Sequence, residues 1–180
     1  MQLQTGDILF VDTEGIVASS IDWFQGNDLN HVGIIIVANG KTWVFEAIDS
    51  GNAYTDFEDY KKRLASDEDL NLYIGRTKEN IWDTISLDDI ECFAKPLTDG
   101  FYNYLNLTVW QMVKYTTLKI FGKALWIGKT EEEIIKSKSY ICGQLVMRFF
   151  NHFFGWYPNW GDGAPVDLFT DNRIEVTKFN

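Results

Sequence analysis

An α+β fold, with an antiparallel sheet flanked by helices, is predicted by three features of this 180-residue chain. Two runs rich in β-branched and aromatic residues, His31-Val32-Gly33-Ile34-Ile35-Ile36-Val37 and Thr42-Trp43-Val44-Phe45-Glu46-Ala47, flank Asn39-Gly40, a strong hairpin signal. A short apolar run from Gly6 to Val11 opens the chain as a buried strand. Towards the other end, Leu145, Val146, Phe149 and Phe153 recur at helical spacing, with Gly155 as a stop.

The remaining elements follow in order. Residues 12–26 form a helix or loop with Ile16, Ile21, Trp23 and Phe24 turned inward. Asp56 to Leu64 is helical, with acidic residues early and Lys61, Lys62 and Arg63 late, matching the helix dipole. Leu70 to Gly75 alternates as a half-buried strand. Ser86 caps a helix that runs to Ala94 and is ended by Lys95-Pro96. Tyr102 and Tyr104 fall in an aromatic loop, and Leu107 to Phe121 forms an aromatic helix that either packs on the sheet, the commoner fate of such a stripe, or covers the substrate. Ser139 is the expected N-cap of the late helix, Gly161 to Leu168 a loop, and Arg173 to Thr177 a last strand. With no repeat, low-complexity tract or linker, one domain spanning residues 1–180 is expected.

Composition narrows the function classes. Hydrophobic and aromatic fractions of 46% and 16% exclude a disordered chain. A net charge of −10 with no basic stripe argues against nucleic acid and anionic membrane surfaces as partners. Lys114, Lys119 and Lys123 interrupt the apolar stretch 107–127, so no transmembrane segment is expected. The N-terminus has neither a basic n-region nor an apolar h-region, so the expectation is no signal peptide and synthesis in the cytoplasm. Two cysteines in different contexts make no disulfide framework.

Two places carry chemistry. A two-residue Asn39-Gly40 loop pairs Ala38 with Lys41, Ile35 with Val44 and Gly33 with Glu46. His31 then shares a sheet face with Glu46 one diagonal step away, about 7–8 Å between backbones. Gly33, opposite Glu46, leaves the space between them empty. The second place is Ser139-Tyr140-Ile141-Cys142-Gly143-Gln144-Leu145-Val146, where Cys142 falls in the first helical turn. Free N–H groups and the helix dipole favour a thiolate there and can hold a developing oxyanion. Buried packing is the common fate of a free cysteine, and that inert reading is kept for Cys92. His152 reads as a core or rim residue. No phosphate loop, dinucleotide fingerprint, Gly-x-Ser-x-Gly elbow or metal-ligand spacing occurs, so neither a metal nor another cofactor is expected.

The order Gly6-Asp7-Ile8-Leu9-Phe10, His31-Val32-Gly33-Ile34, Phe45-Glu46-Ala47 and Tyr140-Ile141-Cys142-Gly143-Gln144-Leu145-Val146 resembles the permuted NlpC/P60 cysteine hydrolases, in particular the YiiX/YebB-like group. Ala164-Pro165-Val166-Asp167-Leu168 is similar to that group's proline-containing tail. The resemblance implies a circularly permuted papain-like fold, in which the histidine strand precedes the cysteine helix. It implies Cys142 as nucleophile, His31 as general base and Glu46 as the residue orienting His31, with Tyr140, Asp7 and Gly33 lining the site. The group commonly has Ser where Gly143 stands, a departure of little weight for the chemistry. The implied activity is thiol hydrolysis of a peptide or amide bond, most simply in bacterial cell-wall stem peptides (peptidoglycan). Without a signal, a phage tail or lysis component delivered with a virion, or a cytoplasmic recycling enzyme, is the expected setting. A lipid- or acyl-directed thiol hydrolase or acyltransferase of the same fold, and a non-enzymatic structural module, remain the alternatives.

Overall fold

The computed structural model describes residues 1–12, 29–48, 50–64, 71–98, 101–102, 120–121 and 129–179. The expected element at 13–26, Tyr104, and the expected helix at 107–119 lie outside the described residues. Ile120 and Phe121, at that helix's end, are helical and exposed.

Eight strands are described: β1 Ile8–Asp12, β2 His31–Ala38, β3 Lys41–Ile48, β4 Gly51–Asp56, β5 Asn71–Thr77, β6 Phe101–Tyr102, β7 Ser139–Tyr140 and β8 Ile174–Phe179. Six of them make one antiparallel sheet in the order β4-β3-β2-β1-β5-β8. The β2–β3 turn places Asn39 at φ 53° and Gly40 at φ 73°, the doubly left-handed pair that Asn-Gly supplies at low cost. The resulting register, Ala38 to Lys41 through Gly33 to Glu46, is the one expected from the sequence.

Helices cover both faces: α1 Phe57–Leu64, α2 Leu87–Ala94, α3 Glu131–Ser137, α4 Cys142–Phe154 and α5 Pro165–Phe169. On one face Leu9, Val11, Ile35, Val44 and Ile74 pack against Phe57, Tyr60 and Leu64 of α1. On the other, Ile8, Phe10, Val32, Ile34, Phe45 and Ala47 pack against α2 and α4. Central strand β1 is therefore apolar at consecutive positions, because both its faces are buried. Leu145, Val146, Phe149 and Phe150 anchor α4, and each fully buried side chain of this kind contributes about 1.5–3 kcal/mol.

Three expectations are corrected. Ser139 is not the cap of α4: Ser139–Tyr140 is extended and pairs in parallel with Phe101–Tyr102, and Ile141 is the N-cap. Tyr102 accordingly lies in a strand, not a loop. Gly161–Leu168 is not a loop throughout. A 3-10 turn at Trp160–Asp162 leads into α5, where Pro165 takes the first helical position and the Asp167 carboxylate accepts the Ala164 N–H at 3.0 Å. The Ser86 cap is as expected, reinforced by Asp89 in a reciprocal box. Among the described residues no helix is long and apolar enough to cross a membrane.

Candidate active site

The site begins where a strand pair ends. The β2–β3 ladder stops at Gly33–Glu46, yet β2 runs on to His31 beside β1, and β3 runs on to Ile48 beside β4. Ile35 donates its N–H to the Asp7 carbonyl of the β1 segment, so alternation turns the Val32 N–H towards β3. With no β3 partner there, the Val32 N–H donates to the Cys142 sulfur. Cys142 is the first residue of α4, and the Gly143 N–H donates to the same sulfur. Gln144 completes the helix start by accepting the Ile141 N–H at 3.1 Å and donating to the Gly161 carbonyl.

His31 joins the thiol to a carboxylate. Its Nε2 lies 2.8 Å from Glu46 Oε2, which leaves Nδ1 for its hydrogen bond with Cys142. Glu46 is 0% exposed and has three partners. Besides His31, Thr55 donates to Oε1 at 2.8 Å, and one guanidinium nitrogen of Arg63 lies 3.0 and 3.3 Å from the two oxygens. Gly33 makes the approach possible: a Cβ there would stand 2.7 Å from Val44 Cγ1 and 3.3 Å from Glu46 Cβ.

The electrostatics run in one direction. Burial alone would push the Cys142 thiol up, but the His31 hydrogen bond and charge, with the Val32 and Gly143 N–H groups, bring it below its ordinary range. Burial lowers the His31 imidazole, and its bonds to Cys142 and Glu46 more than reverse this, raising it to about 10. Burial likewise opposes ionisation of Glu46, while His31, Arg63 and Thr55 hold it as a carboxylate. Along Arg63, Glu46, His31 and Cys142 each contact thus favours the charged form of its neighbour, and His31 and Cys142 shift in the directions that favour an imidazolium and a thiolate.

The structure gathers Cys142, His31, Glu46 and Gly33. Tyr140 is near in sequence, but its buried ring lies against Trp160, at 6.1 Å, and under the Arg148 guanidinium. Asp7 is not brought to the group. It pairs with Arg76 through two bonds of 2.7 and 2.6 Å, four residues along β1 from the Val11 that faces His31, or about 13 Å. Cys92 is exposed on α2, and His152 is a rim residue lying 4.6 Å from the Phe93 ring.

Sequence reasoning missed Thr55 and Arg63. Arg63 registers only as a last-turn cation, because no local rule says that α1 folds back onto Glu46. Thr55 was within reach: a two-residue Asp49-Ser50 connection gives the observed Glu46–Ala53 pairing and sets Thr55 diagonal to Glu46. The role of Gly143 was also missed. A Cβ there would come within 2.7 and 2.8 Å of the Ala164 backbone, so the bare glycine lets the segment leading to α5 lie directly on α4.

With this geometry in view, a solved structure of similar fold can be set beside it. The crystal structure of metalloprotein YiiX from Escherichia coli O157:H7 (DUF1105) superposes with a TM-score of 0.51 at 19% identity, covering 98% of this chain and 97% of that one. The chain has a YiiX-like fold. The match runs end to end, so the shared arrangement is that of the whole domain. Neither a protein-family model nor a curated protein matches the sequence.

Proposed function

We propose that this protein is a thiol hydrolase of the permuted NlpC/P60 type, cleaving a peptide or amide bond with Cys142, His31 and Glu46. The observation that carries the reading is the chain of contacts from a helix-tip thiol through one imidazole to a fully buried carboxylate. Its order in sequence, histidine strand first and cysteine helix last, is that of the permuted branch.

The thiolate of Cys142 attacks the carbonyl carbon, and first-turn N–H groups of α4 stabilise the resulting oxyanion. His31 passes its proton to the departing amine as the C–N bond breaks, leaving a thioester on Cys142. Water then attacks the thioester, His31 takes its proton, and the C–S bond breaks, so that the acid leaves and the thiolate–imidazolium pair is restored. Glu46 keeps Nε2 engaged throughout, so the imidazole cannot turn away from the sulfur. Bacterial cell-wall stem peptides are the proposed substrates, with delivery by a virion, or muropeptide recycling in the cytoplasm, as the setting.

The YiiX structure bears the name metalloprotein, but this site does not fit a metal. Among the described residues no three His, Cys, Asp or Glu side chains are disposed to hold a metal ion. Glu46 already accepts from His31, Thr55 and the cation Arg63, which is no place for a second cation.

One observation favours a second reading, a structural module without turnover: Cys142 itself is 0% exposed, while His31 beside it keeps 20% of its side-chain surface. Alkylation by iodoacetamide, followed by intact mass across a pH series, separates the two. The hydrolase requires fast modification of Cys142 that slows at neutral pH in His31→Ala, and cleavage of muropeptide stems that Cys142→Ala abolishes. A slow, His31-independent reaction sinks it. Release of fatty acid from acyl substrates, with stem peptides intact, selects the lipid-directed variant of the same chemistry.

A further inference from the structure

We propose that Arg148 and Tyr140 form a binding site for an oxyanion, a carboxylate or a phosphate, on the flank of α4. Arg148 projects from the helix that carries Cys142, six residues further on, or about 9 Å along its axis. Its guanidinium lies 5.2 Å from the Tyr140 ring centre and 5.6 Å from those of Phe93 and Trp160. Nη1 has no solvent contact and no hydrogen-bond partner, and the Tyr140 hydroxyl is in the same condition. Two residues in contact thus each hold an unanswered donor, among the rings of Phe93, Tyr140 and Trp160.

The missing partner is an anion. Among the described residues no carboxylate pairs with Arg148, and burial alone accounts for the fall of its guanidinium to about 10. Nor does the chain between positions 100 and 130 hold an acid in reserve, since it contains no Asp or Glu. Ring faces attract the cation, but they satisfy none of its N–H groups. A planar carboxylate or a phosphate answers both needs, taking the guanidinium fork and the phenolic O–H together. Arg148 retains partial exposure, which gives such a group a path from solvent. The other three arginines each meet a carboxylate of the fold: Arg63 meets Glu46, Arg76 meets Asp7 and Arg173 meets Asp171. The site requires no step at Cys142, because occupancy is read without turnover.

The test is calorimetric titration of the intact protein with sodium acetate and, separately, inorganic phosphate, with ionic strength held constant by chloride. At least one anion should saturate a single site. Arg148→Met should weaken it about tenfold or more, Arg148→Lys less, and Tyr140→Phe about threefold. In anion-free buffer Arg148→Met should melt no lower than the wild type, as expected for a charge without an internal partner. Acetate alone binding assigns a carboxylate, and phosphate alone a phosphate. Failure of both anions to bind the wild type, or equal binding by Arg148→Met, overturns the proposal. If that variant does not fold, Arg148→Lys decides in its place, and wild-type affinity there is the overturning result.

Discussion

Gly33 stands directly across the strand pair from Glu46, and the hydrogen it carries in place of a side chain is what lets the carboxylate reach His31. A methyl group at that position meets Val44 at 2.7 Å, inside any real contact distance. Gly33→Ala should therefore cost about 1–3 kcal/mol in a urea titration, the usual range for overpacking. It should also slow Cys142 alkylation at neutral pH, because Glu46 is displaced. A fully active, fully stable Gly33→Ala protein would show that β2 and β3 separate more easily than their ladder implies.

Arg63 acts on the sulfur through two intermediaries. It helps keep Glu46 ionised, and Glu46 in turn holds the proton on His31. Neutralising it in Arg63→Gln should move the midpoint of the Cys142 alkylation profile up by about half to one pH unit, and Arg63→Lys should restore much of the shift. A drop in melting temperature with an unmoved midpoint would reduce Arg63 to a packing residue.

The pH dependence has a definite sign at each end. Cys142 is lowered, so alkylation should rise through a midpoint below that of a free thiol. His31 is raised to about 10, so hydrolysis, which needs its proton for the leaving amine, should fall as pH passes that value. Loss of the imidazole in His31→Ala leaves only the Val32 and Gly143 N–H groups against burial, and the thiol midpoint should then climb from its wild-type position.

Glu46 supplies an acid-side test of stability. Its folded value lies below the ordinary carboxylate range, so its contribution is fully present above about 4.5 and lost as pH falls through the lowered value. Urea midpoints measured down a pH series should converge for wild type and Glu46→Gln as the pH drops. Parallel curves would mean that Glu46 is not ionised in the folded protein.

Gly143→Ala, or the serine that the resembled group commonly carries, should destabilise by about 1–3 kcal/mol, because the added carbon meets backbone that has no rotamer to change. Differential scanning fluorimetry reads this directly. An unaltered melting temperature would show that the Gly163–Ala164 segment gives way freely.

Much of this was legible because it is local. Asn39-Gly40 sets the β2–β3 register, and that register alone places His31, Gly33 and Glu46 on one face. The α4 helix was readable from its apolar spacing and its Gly155 stop, which adopts φ 67°. Its start was misread because Ser139 has the chemistry of a cap, while its backbone is drawn into pairing with Phe101, a contact from far earlier in the chain. Arg63 and Thr55 were missed for the same kind of reason. Propensity places a residue in an element, and only the packing of α1 and β4 around β3 brings these two to the carboxylate. Asp7 was drawn into the expected site by sequence likeness, whereas its neighbour in space is Arg76.

The parting of β2 from β3 also has a temporal meaning. His31, Glu46, Thr55 and Arg63 all come from residues 31–63, a meander and one short helix, so a growing chain can assemble their network soon after that stretch leaves the ribosome. The Val32 N–H left open there meets the sulfur of Cys142, which comes much later in the sequence. Until α4 arrives, the imidazole has no sulfur beside it and the sulfur no imidazole. A chain cut short before Cys142 would carry the complete carboxylate–imidazole network and no thiol beside it.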